Sequence, residues 1–158
     1  NQYSNPRFDI PNDCSNLAFV TGNTGSTPYI DDVDDGNTML TSPVFDLTAY
    51  IHPYLNFSRW IYRNIAMGND YFKVKISNGT DTVEMENIGN NFDEMSAWKT
   101  RSIKISDYII PGSQMNLFFE TADVEPQNLV EAGLDYFSIT DTLLNSGVED
   151  IVASPKEK

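Results

Sequence analysis

The chain has 158 residues, 40% of them hydrophobic and 21% charged, which is the balance of a soluble globular domain long enough to bury a core. Twenty-three acidic residues against ten basic ones leave a formal net charge of −13, a poor surface for a phosphate backbone, so a nucleic-acid partner is not expected. A single cysteine, Cys14, precludes an intramolecular disulfide, and with a single histidine, His52, it leaves too few ligands for a zinc centre built from His and Cys.

No apolar run reaches membrane-spanning length. The opening residues Asn1-Gln2-Tyr3 show neither an initiator methionine nor a signal-peptide pattern, so the sequence reads as a piece of a longer chain.

In chain order, residues 1–16 are polar and turn-rich, with Pro6 and Pro11, and read as an irregular entry segment. Leu17-Ala18-Phe19-Val20-Thr21 is a short strand closed by Gly22-Asn23-Thr24-Gly25. An acidic run, Asp31-Asp32-Val33-Asp34-Asp35-Gly36, follows and leads into a strand over residues 38–42 that stops at Pro43. Residues 54–63 alternate, with Leu55, Phe57, Arg59 and Ile61 on one face and Tyr54, Asn56, Ser58, Trp60 and Tyr62 on the other.

Residues 71–77 alternate with Phe72, Val74 and Ile76 inward, and Asn78-Gly79 turns the chain into residues 82–86 as a hairpin. Strands over residues 98–105, 115–121 and 134–140 complete the set. No window holds a helical period, so the chain is all-β, a sandwich or barrel of short strands. Residues 1–140 form one domain; residues 141–158 lose the alternation and read as a tail or linker towards a further domain.

Two acidic elements carry chemistry. Four carboxylates within five positions, Asp31, Asp32, Asp34 and Asp35, repel one another unless water or a cation intervenes. Calcium suits such a loop because it takes six to eight oxygens in irregular geometry; a solvated acidic turn is the alternative. The second element is Asp135. If Phe137 and Ile139 point into the core, period two turns Asp135 inward as well, where it needs a cation or several donors. Capping of a neighbouring turn is the alternative there. Taken together, the acidic loop, through its carboxylates and carbonyls, and Asp135 are expected to hold one structural calcium.

Tyr54, Trp60 and Tyr62, with Asn56 and Ser58 between them, offer the aromatic and amide surface on which sugar rings stack, although the same aromatics could fill a core. His52 precedes Pro53 in a loop and has no nucleophile elbow to serve. Glu84, Glu86 and Glu120 lie on predicted strands and leave open a small carbohydrate-active enzyme of glycoside hydrolase type.

The order of short motifs is similar to that of the MAM-type jelly rolls. It comprises the acidic loop before Thr38-Met39-Leu40-Thr41-Ser42-Pro43-Val44-Phe45-Asp46-Leu47, then Leu55-Asn56-Phe57-Ser58-Arg59-Trp60, then an isolated Trp98. Leu117-Phe118-Phe119-Glu120 and the closing Leu134-Asp135-Tyr136-Phe137 complete it. The chain most resembles the bacterial relatives appended to secreted peptidases and cell-surface proteins, through Val20-Thr21-Gly22-Asn23 and Val130-Glu131-Ala132. The resemblance spans residues 17–140 and lacks the MAM cysteines, as the bacterial branch does.

What the resemblance implies is a two-sheet antiparallel jelly-roll β-sandwich with a structural calcium and no catalytic centre. It matches Asp32 and Asp34 to the loop acids, Asp135 to the terminal-strand acid and Glu131 to the family's glutamate. The first strand of such modules is not evident here, so the ligand it would supply has no counterpart. The expected function is a non-catalytic, calcium-stabilised accessory or binding module of a larger secreted or cell-surface protein. Its expected partners are a glycan or extracellular protein and the neighbouring domains of the parent chain.

Overall fold

A computed structural model of the chain describes residues 5–11, 13, 16–22, 32–34, 36–64, 69–89, 96–124, 126 and 129–141. Its strands are β1 (Phe19–Val20), β2 (Gly36–Thr41), β3 (Tyr54–Arg63), β4 (Tyr71–Ser77), β5 (Thr82–Ile88), β6 (Lys99–Lys104), β7 (Asn116–Asp123) and β8 (Val130–Thr140). A 3-10 turn over Ile105–Asp107 follows β6. Asp31 and Asp35 of the acidic run, Cys14 and residues 142–158 lie outside the described residues.

The strands pair as a rolled-up hairpin. β1 lies against β8, β2 against β7, β3 against β6 and β4 against β5, all antiparallel. Pairing of β3 with β8 and of β4 with β7 then closes two four-stranded sheets, ordered β1-β8-β3-β6 and β2-β7-β4-β5. This winding is a jelly roll, in which the sequence-distant halves of the chain are neighbours throughout.

Alternation sets the faces. Leu55, Phe57 and Ile61 of β3 meet Phe72, Val74 and Ile76 of β4 and Leu117 and Phe119 of β7 in one core, with Phe57 edge-on to Phe119 at 5.4 Å. Arg59 shares the inward face of β3 and is 2% exposed. It crosses to the other sheet and forks onto Glu86 of β5, Nε to Oε2 at 3.1 Å and Nη2 to Oε1 at 3.2 Å. Arg101 of β6 reaches the same carboxylate at 2.6 Å. A bulge at Val74/Lys75 opposite β5 lets Met85 and Glu86 both serve the interior.

β8 departs from its expected shape in two respects. It begins at Val130, four residues before the predicted start, because Glu131 and Gly133 alternate with core-facing Ala132 and Leu134. Gly133 is accommodated there by ring packing: a Cβ added to it would stand 3.1 Å from Trp98 and 3.3 Å from Trp60. Further along, Ser58 pairs with Asp135 but Asn56 with Ser138, and Tyr136 takes a φ of 50°. The extra residue is a β-bulge. It inverts the alternation, so that Leu134 and Ile139 both reach the core although they differ in parity. Asp135, expected inward, therefore stands on the outer face with Ser58, Gly133 and Glu131.

Candidate metal centre

Asp135 is nevertheless only 6% exposed, because the entry segment covers it. Residues 5–11 carry no strand or helix and lie across the outer face of the first sheet. The Trp98 indole N–H donates to the Phe8 carbonyl at 2.8 Å, and the Ile10 amide donates to Asp135 Oδ2 at 3.2 Å. Trp98 in turn packs edge-on to Trp60, ring centroids 6.0 Å apart, above Gly133. The segment is thus held at one point by an aromatic pair and at the next by a carboxylate.

Around Asp135 the same segment gathers two more acids. Asp9, Asp13 and Asp135 each offer a carboxylate oxygen within 4.8 Å of the others. Both oxygens of Asp9 are shut off from solvent and accept no hydrogen bond from a described residue. Burial pushes the Asp135 carboxyl above its usual range, and a hydrogen bond shared with the Asp9 carboxyl, then the Asp9 charge, push it the same way; the Ile10 and Tyr136 amides oppose them. Two like charges about 5 Å apart repel by roughly 3 kcal/mol at an effective dielectric of ~20. Hard carboxylate oxygens at mutual distances that one ion can span, those of Asp9 shielded from solvent, suit calcium. The residues fit the ion.

The expected ligands are only partly brought together. Asp135 is in the cluster. Asp32 and Asp34 are not, because they flank Val33, whose amide is tied to the Val130 carbonyl at 3.1 Å. That is five residues up β8 from Asp135, about 16 Å of extended strand. Asp34 is exposed there. Glu131 is fully buried on the outer face of β8 and accepts from the Thr21 hydroxyl at 2.5 Å, again too far along the strand to share an ion with Asp135. The acids that the sequence reading missed, Asp9 and Asp13, stand four apart in the proline-rich entry; nothing local to them indicates that they fold back onto β8.

Nor do Tyr54, Trp60 and Tyr62 form one platform. All three face outward, but Trp60 is 7% exposed beneath Trp98, and Tyr54 and Tyr62 lie eight positions apart, about 26 Å along the strand. Between them the outer face is a polar ladder, with Ser102 donating to Asn56 Oδ1 at 2.7 Å and the Ser58 and Thr100 hydroxyls 2.9 Å apart.

The outer face of the second sheet is organised around Glu120, where three strands converge. Lys75 Nζ of β4 donates to its Oε2 at 2.6 Å, and the Tyr71 hydroxyl (2.7 Å) and Asn37 of β2 (2.8 Å) donate to Oε1. Lys75 first, then Tyr71 and Asn37, hold the Glu120 carboxyl down at about 2 against desolvation. The same hydrogen bond, with burial, pushes the Tyr71 hydroxyl up to about 12. Lys73 lies 4.2 Å from the Tyr71 ring centroid and 3.6 Å from Glu84.

The three carboxylates considered for hydrolysis are thereby accounted for. Glu84 and Glu120 pair with lysines on this face, and Glu86 lies between the sheets on Arg59 and Arg101. A general acid needs a raised pKa and a partner across a cleft; Glu120 is moved the other way. The described clefts, about 220 Å³ beside β1 and β2 and about 240 Å³ beside Phe137, are lined mainly by apolar side chains, Asp46 being the one carboxylate at their walls. His52 is exposed, and its backbone amide is bound to Asp141 at 2.6 Å.

No family model matches the chain, and no curated protein matches it. Among solved structures, one described as "CBM4 structure and function" aligns over 66% of this chain and 72% of its own, at 9% identity and a TM-score of 0.37. That likeness is too distant to bear on ligand or activity. The MAM-type resemblance rests on the order of the short motifs, beside a jelly-roll winding that the structure shows independently. Among the described residues no helix is long and apolar enough to cross a membrane.

Proposed function

We propose that the chain is a non-catalytic, calcium-stabilised jelly-roll module of a larger secreted or cell-surface protein, binding a glycan or protein and supporting neighbouring domains. The observation that carries the reading is the cluster of Asp9, Asp13 and Asp135, in which the Asp9 oxygens are shielded yet accept no hydrogen bond from a described residue. A carboxylate so placed is costly without a cation and favourable with one. Calcium there joins the entry segment to the last strand across more than a hundred residues, which stabilises the native state by linkage.

The ligand surface in this reading is the outer face of the second sheet. It presents Tyr71, Lys73, half-exposed Met39 and Asn37 around a carboxylate already fixed in place by three strands. Such preorganised polar groups beside an aromatic ring are what a binding face requires. Calorimetric titration with calcium, followed by a glycan array with and without chelator, tests both halves. Calcium binding together with glycan retention that Tyr71→Ala abolishes supports the module; hydrolysis of a bound glycan with release of product would overturn it.

A further inference from the structure

Covering of the outer aromatic pair and binding of the cation are one event in this geometry. Residues 5–11 touch the sandwich at the Phe8 carbonyl, on Trp98, and next to it at Asp9 and the Ile10 amide, on Asp135. The first is a neutral hydrogen bond at the rim. The second sets carboxylates against each other, so without a cation it repels the segment from the sheet that the first contact draws it to. Beneath the segment lie Trp98, Trp60 and Gly133, which pack on one another on the outer face of the first sheet.

We propose that residues 5–11, together with Asp13, form a calcium-controlled strap, closed over Trp98 when the ion joins Asp9 and Asp13 to Asp135 and released from the outer face when the ion leaves. The inference rests on the calcium reading above and goes beyond it in giving the ion a local effect on one segment in addition to its stabilisation of the whole fold. Release uncovers a tryptophan pair on a flat sheet face while both sheets stay paired. Linkage makes the coupling reciprocal: whatever loosens the strap at Trp98 weakens calcium binding, although Trp98 supplies no ligand.

The two tryptophans of the chain make the strap readable. In a Trp60→Phe chain, Trp98 emission and amide hydrogen exchange are measured with saturating calcium and again with chelator, and calcium affinity is measured by calorimetry. The expected result is a red shift of Trp98 emission and, at the Ile10 amide, a loss of protection on chelation that is not explained by the uniform loss which lower global stability gives the amides of β3 and β7. In the otherwise native chain, Trp98→Phe is expected to weaken calcium binding about fivefold or more, the lower end of ordinary coupling. Calcium binding with unchanged Ile10 protection and unchanged affinity in Trp98→Phe would overturn the strap while leaving the calcium site standing. Failure to bind calcium at all overturns both. Sheet protection serves as the folding control, and Asp9→Asn, outside both sheets, is the variant expected to mimic chelation.

Discussion

Ser58 stands opposite Asp135 on the ladder between β3 and β8, and two residues on Asn56 meets Ser138 instead of Phe137. That slip of one residue, taken up where Tyr136 turns to a φ of 50°, keeps Ile139 in the core while leaving Asp135 outside it. Bulges re-aim side chains in this way. Here the result is a carboxylate presented to the entry segment at the one place where the segment carries two acids of its own.

Calcium is expected to raise the thermal midpoint. An ion at a hundred times its Kd adds about 2.7 kcal/mol, which for a chain of this size is roughly 5–10 °C. Asp135→Asn and Asp9→Asn are expected to abolish the shift, whereas Asp32→Asn and Asp34→Asn, held at the other end of β8, keep it. Scanning calorimetry of the four variants with calcium and with chelator is the measurement, and identical midpoints for the unmutated chain in the two conditions would sink the site.

Acid should reach the second sheet through Glu120. Its carboxyl is held at about 2 when folded against an ordinary 4.5, so the unfolded chain binds more protons in that interval. The stabilisation is complete above 4.5 and is lost as pH falls from there towards 2. Glu120→Gln removes this part of the acid dependence. Denaturant melts across that range should therefore fall less steeply for the variant than for the unmutated chain; parallel slopes would show that the three hydrogen bonds do not operate in solution.

Gly133 has no room for a side chain. A methyl there meets Trp98 at 3.1 Å and the backbone oxygen of Phe19 at 3.4 Å. Gly133→Ala is expected to cost about 1–3 kcal/mol through overpacking and to alter tryptophan emission. Urea melts followed by fluorescence measure both at once.

The inter-sheet ion cluster divides unequally. Glu86→Ala removes the carboxylate that the fully enclosed Arg59 grips at two points and is expected to cost about 3–5 kcal/mol. Arg101, 45% exposed, contributes through a screened contact, so Arg101→Ala should cost less than about 1 kcal/mol. Equal losses in the two variants, read from chemical denaturation, would contradict the assignment of Arg59 as the buried partner.

β3 and β4 match their predicted spans because Leu55-Phe57-Ile61 and Phe72-Val74-Ile76 repeat every second residue, a signal contained within each strand. The hairpin at Asn78 and Gly79 was equally legible: Gly79 takes a φ of 88°, and Asn78 Oδ1 accepts the amides of Thr80 and Asp81. β8 was read short because Gly133 looks like a breaker until Trp98 is seen packed upon it. Of the four carboxylates expected at one ion, the structure brings only Asp135 into an acidic cluster. Asp135 stood out from its place beside apolar residues, while the acidic run drew attention by charge density, which does not depend on what lies across from it.

By itself the sequence determined the all-β class, the outward and inward faces of the central strands, and the acidity of the chain, since period two and charge are properties of neighbouring residues. Which carboxylates meet was decided by the tertiary structure alone. Winding carries the entry segment onto β8, and a one-residue bulge turns Asp135 towards it, so Asp9 and Asp13 become its partners while Asp32 is held about 16 Å away at Val130. Contacts between residues more than a hundred positions apart follow from how the strands are wound, and no pattern local to either residue encodes them.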